Sequence, residues 1–252
     1  FGIMLKNAEA ASPLSGIGTG LSELDMHTGG LQPSDLVIVA GETSQGKTSL
    51  ALTIANNAAL LYDARVAFYS LEMGNTQLAA RLMAQQTGVS GKSILTHRLD
   101  RGLIQLINSN TSKLCSAKIY FDDSSTTGID SILRSIRAMK AKYDINLVVV
   151  DFLQLVTCRT KGASREQQVG EVARALKNVA KELNICVIAL SQLSRSQTPK
   201  PTLNRLRDSG QIEEAADVIL LTYRPEAYGL EYDDELKGYN PTGSALIDVA
   251  KG

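Results

Sequence analysis

The chain has 252 residues, of which 44% are hydrophobic and 21% charged, a composition typical of folded globular proteins and unlike that of disordered or collagen-like ones. The longest apolar runs are far shorter than the roughly 20 residues that cross a bilayer, and the three cysteines are too widely spaced for a zinc site or a disulfide framework, which together predict a cytoplasmic protein without a membrane span. Basic and acidic residues both number 26, so no overall positive charge indicates a nucleic-acid partner, and any such binding must come from local patches.

The order of the predicted elements indicates an α/β fold. A Gly- and Ser-rich lead-in up to about Gly30 predicts a linker or a functional loop. From Leu36 onward, short apolar runs typical of buried strands alternate with segments whose apolar residues recur at helical spacing. The predicted strands are 36–40, 66–71, 119–121, 147–150, 186–190, 218–221 and 245–249, and the predicted helices are 50–61, 78–84, 129–139 and 169–183. This alternation predicts a mostly parallel, twisted sheet flanked by helices.

The segment between the first predicted strand and helix predicts a phosphate-binding loop. Residues 41–48, GETSQGKT, fit the pattern G-x-x-x-x-G-K-[ST] in the strand–loop–helix context that its mechanism requires. The glycines let backbone N–H groups face phosphate oxygens, Lys47 adds positive charge at the β- and γ-phosphates, and Thr48 is expected to ligate Mg²⁺. The predicted nucleotide-binding residues are Gly41, Thr43, Ser44, Gln45, Gly46, Lys47, Thr48 and Ser49.

Three polar residues that follow later apolar runs are predicted to complete the site. Glu72, Asp151 and Gln192 are expected at the carboxyl ends of strands, where ligands of open parallel sheets lie. Asp151 is predicted to hold Mg²⁺ next to Thr48. Glu72 is predicted to orient and deprotonate the attacking water, and Gln192 to sense the γ-phosphate. A purely structural interpretation also exists, in which the carboxylates cap the following elements and Gln192 ties down a loop.

Two polar segments that follow strands are basic. Residues 157–165 carry Arg159, Lys161 and Arg165 without an acidic residue, and residues 194–210 carry four basic residues against Asp208. Each segment therefore has a net charge of plus three. With few aromatic residues there, these loops are predicted to contact nucleic-acid phosphates without base stacking. Two solvated loops without a partner would carry the same charge.

Several further stretches accompany the phosphate loop: 18–25 (GTGLSELD), 30–36 (GLQPSDL), 69–73 (YSLEM), 150–155 (VDFLQL), 190–195 (LSQLSR) and 207–213 (RDSGQIE). Together they resemble the RecA-like C-terminal motor domain of the DnaB-type replicative helicases, over nearly everything from Gly16 to Lys251. The resemblance implies a homohexameric ring that threads single-stranded DNA, hydrolyses ATP with Mg²⁺ between subunits and moves 5′ to 3′ at a replication fork. It also implies primase and a helicase loader as partners.

The resemblance assigns roles that agree with those expected from the residues alone. Lys47 and Thr48 match the phosphate-loop pair, Glu72 the catalytic glutamate, Asp151 the Walker B acid and Gln192 the γ-phosphate sensor. The implied DNA-binding residues are Arg195, Arg207, Asp208 and Gly210. The family usually has Glu where Asp208 stands, which puts that contact in doubt. Lys251 matches a catalytic lysine that reaches the γ-phosphate bound by a neighbouring subunit.

The resemblance also implies domain boundaries. Residues 1–15 match a remnant of the interdomain linker, and residues 16–252 match the motor domain, cut short at its C-terminal end. The family's arginine finger comes two residues after Lys251, whereas the chain stops at Gly252. Because an arginine finger contributes about 10³ to 10⁵ in rate in other NTPases, we expect this chain to hydrolyse ATP weakly.

Two alternatives to a helicase remain open from the sequence. A RecA/RadA-type recombination or repair ATPase has the same core but coats DNA as a filament, and the stretches around Glu72 and Gln192 favour the helicase over it. A regulatory nucleotide-binding module would use ATP only to set its assembly state.

Overall fold

The computed structural model describes residues 14–96, 99–123, 127–158, 160, 162, 164–194, 196, 198–233 and 236–252, without the side chains of 207–209. Its helices are α1 (Ser22–Thr28), α2 (Lys47–Leu61), α3 (Asn75–Thr87), α4 (Gly91–Leu95), α5 (Arg101–Thr111), α6 (Ile129–Tyr143), α7 (Arg165–Leu183) and α8 (Gly210–Ala215). Its strands are β1 (Leu36–Gly41), β2 (Val66–Ser70), β3 (Ile119–Asp122), β4 (Leu147–Asp151), β5 (Cys186–Gln192), β6 (Val218–Tyr223) and β7 (Leu246–Lys251). Short 3-10 helices cover Ser112–Ser116, Leu153–Leu155, Leu203–Ser209 and Pro225–Tyr228.

The seven strands form one sheet in the order β3-β2-β4-β5-β1-β6-β7. All neighbouring pairs from β3 to β6 are parallel, and β7 runs antiparallel to β6. The predicted mostly parallel sheet is therefore confirmed, with one antiparallel edge strand that the sequence did not predict. The connection 224–245 has no α-helix among its described residues, so the chain turns back along β6 without the helical crossover that a parallel strand needs.

The sheet has an apolar layer on each face because alternate residues of its strands point to opposite sides. In β1, Leu36, Ile38 and Ala40 join the cluster that includes α6 and α7. Val37 and Val39 join the cluster on the other face, which includes α2. The helices contribute apolar residues at helical spacing, such as Ile129, Ile132, Leu133 and Ile136 of α6. This two-sided burial explains why the strands consist of near-continuous apolar runs.

The lead-in is more ordered than its glycines predicted. Residues 22–28 form α1, and Ile17 pairs with Leu31 in an antiparallel bridge. The Asp25 carboxylate is buried and accepts hydrogen bonds from the Thr19 backbone N–H (2.8 Å), the Thr19 hydroxyl (2.8 Å) and the Gly20 N–H (3.1 Å). Three hydrogen bonds to one buried carboxylate hold the turn before α1, which corrects the expectation of a linker up to Gly30. Residues 1–13 of the predicted linker remnant lie outside the described residues.

Residues 91–116 also contain helices that the sequence analysis did not assign. Gly91 and Gly102 are poor helix formers. The apolar residues of α5, Leu103, Ile104, Leu106 and Ile107, do recur at helical spacing, but of these Ile107 alone is buried. Among the described helices, none has the length and apolar character to span a bilayer. The three cysteines are free.

Candidate active site

The phosphate loop joins β1 to α2 through a backbone that turns twice through the left-handed region. Ser44 has φ +66° and Gly46 has φ +89°. Gly46 is the N-cap of α2, so Lys47 and Thr48 form the first turn of that helix. The unpaired N–H groups of a helix N-terminus attract anions, and this loop directs them into the cleft that Lys47 and Thr48 line.

Two predicted nucleotide-binding residues of the loop have packing roles in the structure. A Cβ atom on Gly41 would lie 2.3 Å from the Thr222 hydroxyl oxygen of β6, so this position admits only glycine at the present strand spacing. The Gln45 side chain is buried, and its Oε1 accepts a hydrogen bond of 2.6 Å from the Arg224 backbone N–H. Neither residue lines the cleft, so contact between Gln45 and a nucleotide can only involve its backbone.

Thr48 and Asp151 bring together two oxygen ligands suited to Mg²⁺. Asp151 ends β4 and is buried, and the Thr48 hydroxyl donates a hydrogen bond of 2.8 Å to its Oδ2. Burial raises the pKa of the Asp151 carboxyl, and the Thr48 hydrogen bond opposes this shift. Mg²⁺ prefers such oxygen ligands and usually completes its shell with water and phosphate oxygens. The described residues contain no cluster of three or more His, Cys, Asp or Glu that could hold a metal ion.

Lys47 supplies positive charge where the phosphate loop meets the cleft. Its Nζ donates hydrogen bonds of 2.8 Å to the carbonyl oxygens of Gly41 and Glu42. Burial lowers the pKa of the Lys47 ammonium, and three nearby carboxylates, those of Asp151, Glu72 and Glu42, oppose that shift. The ammonium therefore lies among acceptors that hold it at the point where the loop would receive phosphate.

The predicted strand-end residues lie at one edge of the sheet because β2, β4, β5 and β1 are neighbours. Glu72 lies two residues beyond the end of β2 and lines the cleft together with Asp151 and Gln192. Gln192 ends β5, and its Nε2 donates a hydrogen bond of 2.8 Å to the Thr43 hydroxyl. Gln154 fixes the Gln192 backbone, accepting from its N–H (3.2 Å) and donating to its carbonyl (3.0 Å). The structure thus brings the predicted carboxylates and amide to the phosphate loop.

The cleft has a volume of about 360 Å³, within the range of small-molecule sites. Two of its charged lining residues, Arg81 of α3 and Arg224, were not predicted from the sequence. Arg224 directly follows β6, and its Nη1 lies 3.4 Å from the Ser44 carbonyl oxygen, so the strand-end rule that found Asp151 could have found it. Arg81 lies within the helix α3 and not after a strand, so the strand-end rule does not apply to it. The two arginines add positive charge to the walls of the cleft.

Lys251 is the predicted catalytic residue that the structure places away from this cleft. It pairs with Ile219 at the amino end of β6, the sheet edge opposite the phosphate loop. Its Nζ donates hydrogen bonds to the carbonyls of Glu213 (2.8 Å) and Ala216 (2.6 Å) at the end of α8. Lys251 therefore cannot serve the nucleotide site of its own chain in this arrangement.

The predicted DNA-binding residues belong to the segment that follows β5. Arg195 lies outside the described residues. Arg207 and Asp208 are part of the 3-10 helix Leu203–Ser209, but their side chains lie outside what the structure describes. Gly210 is exposed and begins α8. The other basic segment, 157–165, leads from β4 into α7. Both basic segments therefore leave the sheet at the edge where the nucleotide residues lie.

Comparison with known proteins identifies relatives along nearly the whole chain. The family model of the DnaB-like helicase C-terminal domain matches residues 16–251. A replicative DNA helicase DnaB from Leifsonia xyli subsp. xyli is 38% identical over 243 residues, covering 94% of this chain and 51% of that protein. Its counterpart from Geobacillus stearothermophilus is 37% identical over 238 residues, covering 92% of this chain and 52% of that protein. The chain thus spans about half the length of these curated relatives.

Solved structures agree with the sequence relatives. One, of a DnaB-like replicative helicase and its interactions with primase, aligns with a TM-score of 0.88 and 30% identity, covering 99% of this chain and 61% of that chain. A solved ATPase domain aligns with a TM-score of 0.87 and 30% identity, covering 98% of this chain and 88% of that chain. These likenesses confirm the RecA-like fold. The chain belongs to the family of DnaB-like helicase C-terminal domains.

Proposed function

We propose that this chain is the ATP-hydrolysing motor of a replicative DNA helicase, with residues 16–252 as the motor domain and 1–15 as part of an interdomain linker. The observation that carries the proposal is the meeting of Lys47, Thr48, Asp151, Glu72 and Gln192 around one cleft at the carboxyl edge of the sheet. A phosphate loop with a carboxylate on each side supplies the parts that phosphoryl transfer to water requires.

Each residue of the cleft has a role that follows from its place. Lys47 binds the β- and γ-phosphates through its ammonium, and Gln192 donates to a γ-phosphate oxygen from the strand beside the loop. Glu72 accepts a proton from the attacking water. Mg²⁺ held by Thr48 and Asp151 would neutralise charge on the phosphates. The remaining predicted loop residues, Thr43, Ser44, Gly46 and Ser49, line the cleft and surround the nucleotide.

Single-stranded DNA is the proposed polymer substrate. The support is the family, whose curated relatives are named replicative DNA helicases, together with the two basic segments that leave the sheet at the nucleotide edge. Arg195, Arg207, Asp208 and Gly210 are proposed to contact the DNA backbone. We propose a homohexameric ring, with primase and a helicase loader as further partners and the cytoplasm as its location. A structural relative named for its interactions with primase supports the first of these partners.

Lys251 is proposed to act on a neighbouring subunit. Its position at the sheet edge opposite the chain's own cleft supports this, because a head-to-tail ring places one edge of each subunit against another edge of the next. The lysine would then reach the γ-phosphate of the neighbouring site.

The test is ATP hydrolysis at several protein concentrations, with and without oligothymidylate, at about 50 mM and about 200 mM salt. We expect activity that rises more steeply than protein concentration, requires Mg²⁺, and is stimulated by DNA less strongly at the higher salt. Lys47→Ala serves as the inactive control. Nucleotide binding without hydrolysis or any DNA response would contradict the proposal and favour a regulatory module.

A further inference from the structure

The second residue of the phosphate loop, Glu42, connects that loop to two other segments, which carry Arg205 and Tyr228. Its carboxylate accepts hydrogen bonds from the Arg205 guanidinium and from the Tyr228 hydroxyl, the latter at 2.9 Å. Only 11% of the Glu42 side chain and 10% of the Arg205 side chain are exposed. Burial would raise the pKa of Glu42, but the hydrogen bonds from Arg205 and Tyr228 outweigh it and lower the pKa. The Glu42 carboxylate is therefore charged at neutral pH.

Arg205 lies on the segment that is proposed to contact DNA. It belongs to the 3-10 helix Leu203–Ser209, two residues before Arg207. Its Nη2 also donates to the Ser194 carbonyl, and its Nη1 lies 3.4 Å from the Thr198 carbonyl. One guanidinium thus links the start of the segment 194–210, its middle and the phosphate loop.

Glu42 also contacts the residue that would bind phosphate. Its backbone carbonyl accepts a hydrogen bond of 2.8 Å from Lys47 Nζ. A phosphate group in the loop would bind the same ammonium, which has one N–H left beyond those donated to the Gly41 and Glu42 carbonyls. Glu42 therefore contacts the phosphate-binding ammonium through its backbone carbonyl and Arg205 of the segment 194–210 through its side chain.

The ion pair is poorly suited to a role in stability alone. Desolvation of two buried charges commonly cancels their attraction, and a hydrophobic pair of similar size is often as stable. In addition, Arg205 Nε is buried without a hydrogen-bond partner among the described residues. A buried N–H that stays unpaired is unfavourable, so the arginine fits a positioning role better than a stabilising one.

We propose that Glu42 and Arg205 are positioning residues that couple the phosphate loop to the segment 203–210, so that the bound nucleotide changes the affinity for single-stranded DNA. This inference rests on the proposed function and assigns one physical link within it. Neither residue needs to touch the reacting atoms. Coupling between two sites requires an element that both can bias, and this pair joins the two loops directly.

The test is a double-mutant cycle with Glu42→Gln, Arg205→Gln and the double variant. For each, the dissociation constant for labelled oligothymidylate is measured with Mg²⁺-ADP and with a non-hydrolysable ATP analogue. The ratio of the two constants reports the coupling, which we expect to be about fivefold or more in the wild type. Each single variant should bring the ratio to within about twofold of unity, and the double variant should lose no more than either single, because all three remove the same contact.

A matched control is the exposed pair Arg137 and Glu182, which joins α6 to α7 with side chains 45% and 46% exposed. Arg137→Gln and Glu182→Gln should leave the ratio unchanged. Arg205→Lys keeps the positive charge but loses the planar guanidinium that donates to both Glu42 and Ser194. Its ratio of dissociation constants should therefore fall between those of the wild type and Arg205→Gln. If Glu42→Gln or Arg205→Gln does not fold, the ratio measured for Arg205→Lys still tests the coupling.

Hydrogen exchange provides a readout that needs neither DNA nor hydrolysis. In the wild type, adding the ATP analogue should change amide protection in residues 203–212, and Glu42→Gln should abolish that change. Retained coupling in both single variants, or losses that multiply in the double variant, would overturn the inference. If the wild type neither hydrolyses ATP nor binds DNA, the proposed function fails, and the exchange result alone then decides whether the pair links the two loops.

Discussion

Thr48 and Asp151 are in contact at the point where the metal is proposed to bind. Asp151→Asn keeps the size of the side chain and an oxygen that can accept from Thr48, but it removes the negative charge that attracts Mg²⁺. We expect hydrolysis to fall by about 10- to 100-fold and the Mg²⁺ concentration for half-maximal activity to rise. A steady-state ATPase assay across a Mg²⁺ titration measures both effects.

The matched control is Asp122→Asn. Asp122 also ends a parallel strand, β3, but it does not line the cleft and lies near Ser135, whose hydroxyl donates to it at 3.2 Å. Equal effects from Asp122→Asn and Asp151→Asn would show that the loss comes from the fold and not from the metal site.

Glu72 is the proposed proton acceptor, so its substitution should separate binding from turnover. Glu72→Gln removes the base while keeping the shape of the side chain, and we expect turnover to drop by about 10²- to 10⁴-fold. Affinity for a fluorescent ATP analogue should change little, because the phosphate contacts come from the loop and from Lys47. Glu23→Gln, on the exposed face of α1, is the control. An unchanged turnover in Glu72→Gln would remove Glu72 from the mechanism.

The sequence predicted the part of the site that strand periodicity positions. Asp151 and Gln192 follow apolar runs, and in the structure they still pair with the neighbouring strands, Asp151 with Ser70 and Gln192 with Gly41. The strands therefore run one or two residues past the apolar run and carry the functional residue with them. The contact of Arg205 with Glu42 could not be predicted from the sequence, because it forms only after two distant loops have packed together.

Long helices whose apolar faces are buried were predicted well, and short or largely exposed helices were missed. The helices α6 and α7 bury residues at every turn of one face, and their predicted segments lie within the observed ones. The helix α1 is held instead by polar contacts of Asp25, which apolar periodicity does not detect. The antiparallel direction of β7 depends on the path of the connection before it, and strand patterns carry no information on direction.

The helix α7 begins with a capping box whose first residue, Ser164, lies near the end of the basic segment 157–165. The Ser164 hydroxyl accepts from the Gln167 N–H at 3.3 Å, and the Ser164 N–H donates to Gln167 Oε1 at 3.0 Å. We expect Ser164→Ala to lower the free energy of unfolding by about 1 kcal/mol, as measured by urea denaturation. Ser164→Asn keeps a capping oxygen and should retain most of the stability. A loss in Ser164→Asn as large as that in Ser164→Ala would argue against a contribution from the cap.

At the scale of the whole molecule, a net charge of zero leaves DNA binding to the local basic segments. Binding of single-stranded DNA should therefore weaken with salt, with a slope on logarithmic axes set by the number of phosphates contacted. Arg207→Ala should reduce that slope by about 0.7, the value for one phosphate contact on a single strand. Fluorescence anisotropy at several salt concentrations measures the slope.

Arg137→Ala provides the comparison for this measurement, since Arg137 is an exposed arginine of α6 whose ion pair is with Glu182. It should leave the slope unaltered. The same decrease in both variants would mean that any surface arginine contributes, and that the segment 194–210 is not a specific DNA contact.

The close approach of β1 and β6 affects how mutations of the phosphate loop should be interpreted. At Gly41 an added methyl group would press on Thr222, whereas at Gly46 the nearest atom would be Arg224 Cδ at 3.7 Å and the obstacle is the backbone angle of +89°. Alanine at either position would lower ATPase activity, but Gly41→Ala would do so by forcing two central strands apart. The loss of activity in Gly41→Ala would then come with a lower melting temperature. Its cause would be a disturbed sheet and not the loss of a catalytic group.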